Sequence, residues 1–258
     1  MSLPFLASAG TWSDSFSEST LGQEWHGDTN FFSIVNGTLK GVSASPLAPV
    51  PLRVIEVGTD WTDYVVQCRM NVVTPNLLVC TKGALILRHR ANEGYVFALH
   101  VATKTIEVYR FSDGQILLSK DAPLELKRWY RIRAELQGNT ISFFVDDQWI
   151  GTIIDARSTS GAVGLAVQDA LEVQFDDFSV TGPNIPGNGL EASRFGDRIT
   201  LAWPNGLKNY VLEASENLSS SGNWRTITNT PIAASDRFSV TLDIGAGSQF
   251  YRLAPSGE

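Results

Sequence analysis

The chain has few of the residues that carry most enzyme and metal chemistry. It holds two cysteines and three histidines in 258 residues. Neither cysteine sits in a Cys-x-x-Cys pair or close to a histidine, which removes the usual zinc arrangements. Charged residues make up only 18%, with 27 acids against 20 bases and a net charge of -7. An acidic surface repels phosphate backbones, so no nucleic acid partner is expected. No apolar run approaches the roughly 18 to 20 residues of a membrane span, so no spanning segment is expected either. Also missing are a Gly-x-Ser-x-Gly elbow, a His-Glu-x-x-His helix, a phosphate-cradling glycine loop and an EF-hand loop. His26, His89 and His100 lie too far apart in sequence to be claimed as a triad, although strands can gather them in space.

Short strands separated by short turns are plentiful. Between residues 83 and 154 the segments read GALILRHR, YVFALHV, TIEVYRF, WYRIRAEL, TISFFVDD and WIGTII. Asn92, Gly94, Asp113, Gly114, Gly138 and Asn139 punctuate them. Runs rich in Val, Ile, Phe and Tyr bounded by Gly, Asn and Asp are what antiparallel strands and hairpin turns require, so the expected class is all-β. With 43% hydrophobic residues the chain can bury one large core or two smaller ones.

A composition shift near residue 182 favours two. Thr181, Gly182, Pro183, Asn184, Pro186, Gly187, Asn188 and Gly189 crowd so much Gly, Pro and Asn together that regular structure must stop there, and residues 182–189 read as a linker. After it come RITLAW, YVLEAS, WRTI, FSVTL and QFYRL, evenly spaced short strands that fit a small β-sandwich over residues 190–258. Alternation places Trp203 with Leu201 and Ile199 on a core face, and Trp224 and Tyr251 are also read as packing residues.

The pattern over residues 83–147 resembles the concanavalin A-like and laminin-G-like jelly rolls, including the bacterial 3-keto-disaccharide hydrolase-like domains. The motifs that carry it are Gly-apolar-apolar-Arg, Tyr-x-Phe-x-Leu, an Asp-Gly turn, Trp-Tyr-Arg-x-Arg, Gly-Asn and a strand ending in Val-Asp. It implies a jelly-roll sandwich over residues 1–181 and extracellular carbohydrate as partner. The C-terminal segment is similar to fibronectin type III-like modules of secreted bacterial proteins, through Ile-Thr-Leu-x-Trp, Tyr-Val-Leu-Glu-x-Ser and Phe-Tyr-Arg-Leu.

In such jelly rolls the first and last strands lie side by side. The resemblance therefore implies that Asp14 meets Asp176 and Asp177, an all-oxygen set suited to a structural calcium; the same carboxylates also serve to keep an edge strand soluble. Cys68 shares parity with Val66, Met70 and Val72 and reads as a buried free thiol, while pairing with Cys80 would need the 74–79 loop to curl back. Residues 3–10 end in the small-x-small spacing of a signal-peptidase site without a basic n-region, and read either as a signal-peptide remnant or as an ordinary first strand. With the resemblance, this points to a secreted, extracellular or periplasmic protein.

Related glucanases place catalytic acids as Glu-x-Asp-x-x-Glu or Glu-x-Asp-x-Glu on one strand. Here Glu107 and Glu135 each stand alone, and Glu56 and Asp60 bracket Gly58 rather than lining a strand. Sugar recognition needs a flat ring and Arg, Asn, Asp or Gln to bridge hydroxyl pairs. With Leu85 and Leu87 facing the core, strict alternation turns Arg88 and Arg90 outward, and burial of Tyr95, Phe97 and Leu99 leaves His100 outward beside them. Trp149 follows a turn and has no evident core requirement. Arg88, Arg90, His100 and Trp149 are therefore the expected carbohydrate-binding residues of a lectin-like protein without catalysis. The alternatives are a glycoside hydrolase or lyase, and a laminin-G-type protein-adhesion module.

Overall fold

The computed structural model describes residues 10–44, 51–76, 81–183, 185, 189–204, 210–217, 224–234, 237–245 and 247–255. The chain divides into two compact units, Met1–Ile185 and Pro186–Glu258. In the large unit the strands are β1 (Gly10–Asp14), β2 (His26–Gly27), β3 (Phe32–Val35), β4 (Thr38–Ser43), β5 (Arg53–Trp61), β6 (Tyr64–Pro75), β7 (Lys82–Arg90) and β8 (Glu93–His100). They continue with β9 (Thr105–Arg110), β10 (Ile116–Asp121), β11 (Trp129–Gln137), β12 (Thr140–Val145), β13 (Gln148–Ile154), β14 (Gly161–Gln168) and β15 (Ala170–Gly182). One sheet has the order β13-β12-β11-β6-β15-β4-β3, with β1 also paired to β15; the other has the order β10-β9-β8-β7-β14-β5-β2. All ladders are antiparallel, and the protein is an all-β, concanavalin A-like jelly-roll sandwich with a smaller β-sandwich after it.

The meander is present, and the two sheets share it. β7 to β10 build the seven-stranded sheet, whereas β11 to β13 cross to the eight-stranded one. β11 shows the period of a half-buried strand: Tyr130, Ile132, Ala134 and Leu136 are buried and Arg131 is exposed. β7 and β8 are buried on both faces. Their inner side chains, Leu85, Leu87, Tyr95, Phe97 and Leu99, join the inter-sheet core with Val66, Cys68, Met70, Phe143, Phe175 and Phe178. Their outer side chains, Ala84, Ile86, Val96 and Ala98, form a second apolar cluster with Val54 and Ala166, packed by Leu52, Tyr109 and Phe111. The Asp146–Asp147 turn joining β12 to β13 has both residues at positive φ, +49° and +61°, matching the twist of the strands it connects. Cys68 is a buried free thiol whose pKa burial pushes up; Cys80 lies outside the described residues, as does half of the stretch expected to be a linker.

Arg88 corrects the outward-facing assignment. The ladder slips between Leu87 and Arg90, and Arg88 itself has φ +48°. This bulge turns its side chain inward, where it is 0% exposed. Its guanidinium donates to Thr62 O (2.7 and 2.9 Å), Gly138 O (2.8 Å) and Ser158 O (3.2 Å), with Asp63 at 3.4 Å. A buried cation is tolerable only when its donors are satisfied in this way. A second network centres on Asp155, which accepts from Tyr95 Oη (3.0 Å), Arg157 N (2.8 Å) and Arg110 Nε (2.9 Å). Burial opposes its charge, but the hydrogen bonds from Arg157, Arg110 and Tyr95 outweigh it and hold its pKa below the ordinary aspartate value.

The small unit contains β16 (Glu191–Phe195), β17 (Arg198–Pro204), β18 (Tyr210–Ser215), β19 (Arg225–Thr226), β20 (Ile232–Ala234), β21 (Arg237–Asp243) and β22 (Phe250–Pro255). They form sheets β16-β17-β21-β20 and β19-β18-β22. Trp203, Leu201, Leu212 and Val240 make its core, with Tyr251 packed against them. Trp224 lies under the Arg252 guanidinium, 4.3 Å away. No helix among the described residues is long and apolar enough to cross a membrane.

Two outcomes follow from these networks. Arg88→Met, which removes a buried cation and the donor to the carbonyls of Thr62, Gly138 and Ser158, should cost about 3 to 5 kcal/mol and lower Tm by about 6 to 20 °C; calorimetry showing a change below 2 °C would contradict the role given to Arg88. Because the folded pKa of Asp155 is depressed, its contribution is complete above the unfolded aspartate value near 4 and is lost as pH falls through the lower folded value. Asp155→Asn should therefore be less stable than wild type at pH 7, with the gap closing below about pH 4 in denaturant titrations.

Candidate functional site

The best-formed polar site of the large unit lies on the outer face of the seven-stranded sheet, around Glu56. β5 carries Glu56 on that face, opposite Gly164 of β14 on one side and His26 of β2 on the other. The bulge that buries Arg88 also shifts β7 by one position, so His89 emerges on the outer face opposite Ala162. Glu56 and His89 are thus separated by β14, and they touch because β14 presents only Ala162 and Gly164 between them. The His89 Nδ1 to Glu56 Oε2 distance is 2.6 Å, and His26 Nε2 stands 3.7 Å from Glu56 Oε1. Both members of the close pair remain reachable, Glu56 at 17% and His89 at 19% side-chain exposure. The Phe111 ring lies 4.4 Å from the His89 ring, centroid to centroid, at 46°.

Two adjoining cavities share this pair. One, of about 370 Å³, is lined by His26, Glu56, Gly58, Thr59, Asp60, His89, Arg90 and Ala162. The other, of about 350 Å³, adds Asp28, Leu52, Asn92 and Phe111. Gly58 shapes the first: it has φ +72°, and a Cβ there would come 2.5 Å from the Trp61 ring. A larger cavity, about 450 Å³, lies in the small unit between Ser215, Asn217, Arg225, Thr228 and Gln249. Among the described residues that line it there is no aromatic ring and no buried charged group, so the Glu56 site has the stronger chemistry. There a carboxylate held by one imidazole and approached by a second presents fixed hydrogen-bonding groups beside an apolar ring. Such a set can bridge neighbouring hydroxyls or stabilise a transferring proton.

The expected binding residues do not come together. Arg88 faces the core. His100 is 7% exposed, at the opposite end of the sheet from Arg90, because β7 and β8 run antiparallel with Gly83 opposite Leu99. Apolar packing covers both faces of β8, so alternation alone mis-assigns His100 as exposed. Arg90 does line a cavity beside His89. Trp149 is 59% exposed, but on the other sheet, opposite Phe144, with its Nε1 donating to Thr152 Oγ1 at 3.2 Å. The sequence reading missed Glu56 because Gly58 looked like a strand break, whereas it is a bulge within β5. The small residues of GAVGLAV in β14 were the available signal that side chains of β5 and β7 would meet.

The seam expected to hold calcium exists, since β1 pairs with β15 and Asp14 lies opposite Phe178. Its carboxylates have partners within the chain. Asp14 accepts from Phe16 N (2.7 Å) and Trp25 Nε1 (2.8 Å), and Arg69 pairs with Asp176 and, at 2.7 Å, with Asp177. Among the described residues no group of three or more His, Cys, Asp or Glu is gathered as a metal shell.

No protein-family model and no curated protein sequence matches the chain. Solved structures do resemble it. The carbohydrate binding module CBM66 from Bacillus subtilis is 17% identical with a TM-score of 0.55, over 63% of this chain and 99% of that one. A β-1,3-1,4-glucanase (lichenase) from a mouse hindgut metagenome is 12% identical with a TM-score of 0.52, over 67% of this chain and 99% of that one. A xylan β-1,4-xylosidase from Bacillus halodurans C-125 is 16% identical with a TM-score of 0.51, over 66% of this chain but 39% of the enzyme. At these identities the likeness establishes the fold, a β-sandwich used by carbohydrate-binding modules and glycoside hydrolases alike.

The pairing at the seam gives a direct test. Chelation with EDTA should leave Tm unchanged, and Asp177→Asn should cost less than about 1 kcal/mol, the scale of an exposed ion pair. A calcium-dependent rise in Tm that Asp177→Asn abolishes would instead place a metal at this seam.

Proposed function

We propose that the large unit binds carbohydrate through the Glu56–His89 site and does not cleave it. The observation that carries this reading is the 2.6 Å Glu56–His89 pair beside the Phe111 ring, in cavities of the size of a sugar ring or two. The fold shared with a carbohydrate-binding module supports it. So does the partial coverage of the xylosidase, in which this fold is one part of a longer enzyme chain. The small unit, similar in sequence to fibronectin type III-like modules, then acts as a spacer or attachment module, and the whole works outside the cytoplasm on polysaccharide.

A second reading, glycoside hydrolysis, has one observation in its favour: Asp28, Glu56 and Asp60 line the two adjoining cavities. Glycosidases need two carboxyl groups facing each other across the scissile bond. Asp28 is partly committed, since it accepts from Val54 N at 3.1 Å. The experiment is calorimetric titration of the full chain with xylo-, cello- and mixed-linkage gluco-oligosaccharides, coupled to a product assay. Glu56→Gln should weaken binding about 10- to 100-fold, the loss of a charge-assisted hydrogen bond, with Tm nearly unchanged. Steady release of reducing sugar, abolished by Glu56→Gln, would assign the protein to the hydrolases instead.

A further inference from the structure

Trp149 is 59% exposed on the outer face of the eight-stranded sheet, the sheet that does not carry the Glu56 site. Its ring is nevertheless held. Nε1 donates to Thr152 Oγ1 at 3.2 Å, and Thr152 shares a 2.9 Å hydrogen bond with Ser142. Cross-strand register builds two rows from this corner of the sheet. Trp149 stands opposite Phe144, which stands opposite Arg133, then Gln67, then Ser179. The neighbouring row runs Thr152, Ser142, Glu135, Val65, Thr181. No residue of either row is buried, so the whole strip can be touched from solvent. Four strand-to-strand steps separate β13 from β15, which makes the strip roughly 20 Å long at about 4.8 Å per step. Away from the ring the face deepens: Glu135, Val65 and Thr181 line a cavity of about 380 Å³ together with Gln137.

We infer that this strip is a second carbohydrate-binding surface, on which the Trp149 indole stacks against one ring of a neutral polysaccharide chain that lies across the strands toward the Glu135–Thr181 cavity. It shares its ligand class with the Glu56 reading and none of its residues, so either can fail alone. The negative face of an indole attracts the weakly positive C–H groups of a sugar ring, and the ring edge keeps its polar handle satisfied by Thr152. Because that hydrogen bond fixes the indole in advance, stacking costs little further side-chain freedom. Each hydroxyl group has one donor and two acceptor positions, so Ser142, joined to Thr152 by a single hydrogen bond, keeps capacity for a sugar hydroxyl. Charge decides what kind of chain fits. Arg133 pairs with Glu135 and lies over the Phe144 ring, while beside the strip Arg131 pairs with Asp147 and Arg69 with Asp176 and Asp177. With these cations committed to carboxylates of the same chain, the balance favours an uncharged ligand over an anionic polymer.

Calorimetric titration of the full chain with xylo-, cello- and mixed-linkage gluco-hexasaccharides tests this, with sedimentation velocity on the same samples. A hexasaccharide that binds should do so in two independent events. Trp149→Ala should weaken one of them about 5- to 30-fold, Trp149→Phe should keep most of it, and both should leave the other event unchanged; Glu56→Gln should do the reverse. Gln67→Ala, at an exposed position away from the ring, should weaken the Trp149 event about 2- to 5-fold and keeps the test valid if Trp149→Ala disturbs the edge of the sheet. Loss with Glu56→Gln but none with Trp149→Ala or Gln67→Ala would overturn this surface and leave the first site. Loss with Trp149→Ala and Gln67→Ala but none with Glu56→Gln would uphold this surface and overturn the first. A wild-type dimer that Trp149→Ala converts to monomer would assign the ring to a second copy of the chain instead, and absence of binding to every saccharide would overturn both sites.

Discussion

The arrangement of the large unit depends on one buried cation. Arg88 sits inside a sandwich whose neighbours are Tyr64, Tyr95 and Leu87, and its guanidinium is satisfied by carbonyls of three separate connections: Thr62 between β5 and β6, Gly138 between β11 and β12, and Ser158 between β13 and β14. Tyr64 Oη accepts from its backbone N–H, and Ser158 Oγ donates to its carbonyl. A guanidinium without those acceptors would be expelled to water, so the three connections and the bulge at φ +48° must form together. The same bulge reverses the facing of β7 beyond it, and that reversal brings His89 out to Glu56. The candidate site is a consequence of how the interior satisfies one charge.

Space between strands sets the rest of that site. Side chains two strands apart do not normally touch, since adjacent strands are about 4.8 Å apart. Ala162 and Gly164 on β14 remove the intervening bulk, and the Glu56–His89 contact spans the gap. The opposite happens at the seam of β1 and β15, where Trp12, Trp25 and Phe178 pack edge to face with centroids 5.2 to 5.8 Å apart. A buried indole N–H needs an acceptor, and Asp14 provides it for Trp25. The carboxylate is thereby tied to packing, and Arg69 occupies the two aspartates beside it.

The two sheets also differ in what their outer faces offer. On the eight-stranded sheet two of the outer aromatic rings are covered by cations of the same chain, Trp149 staying exposed: Arg133 lies 3.9 Å from the Phe144 ring centroid and Arg69 5.1 Å from that of Trp129. Carboxylates pair those arginines in turn, Glu135 with Arg133 and Asp176 and Asp177 with Arg69. Polar groups on that face are largely satisfied internally. The seven-stranded face keeps Glu56 and His89 open to its cavities, which gives it fixed hydrogen-bonding groups within reach of a ligand.

Strand content, the all-β class and the turns at Asn92, Gly138 and Asp146 could be read along the chain, because alternation and turn chemistry are local; the jelly-roll class came with the family resemblance. The division of the meander between two sheets could not, since nothing local to residues 116–129 says that β11 pairs with β6 instead of β10. Arg88 was mis-faced for a related reason: alternation assumes an unbroken ladder, and a bulge is decided by what the inward-turned side chain finds across the core. His100 was mis-faced because burial on both sides of β8 depends on packing over the sheet. The sequence by itself determined the class of fold and the residues available for chemistry. Only the tertiary structure decided that Glu56, His26 and His89, dispersed over 63 positions, would meet, because their meeting requires the register of β2, β5, β14 and β7 and the small side chains between them.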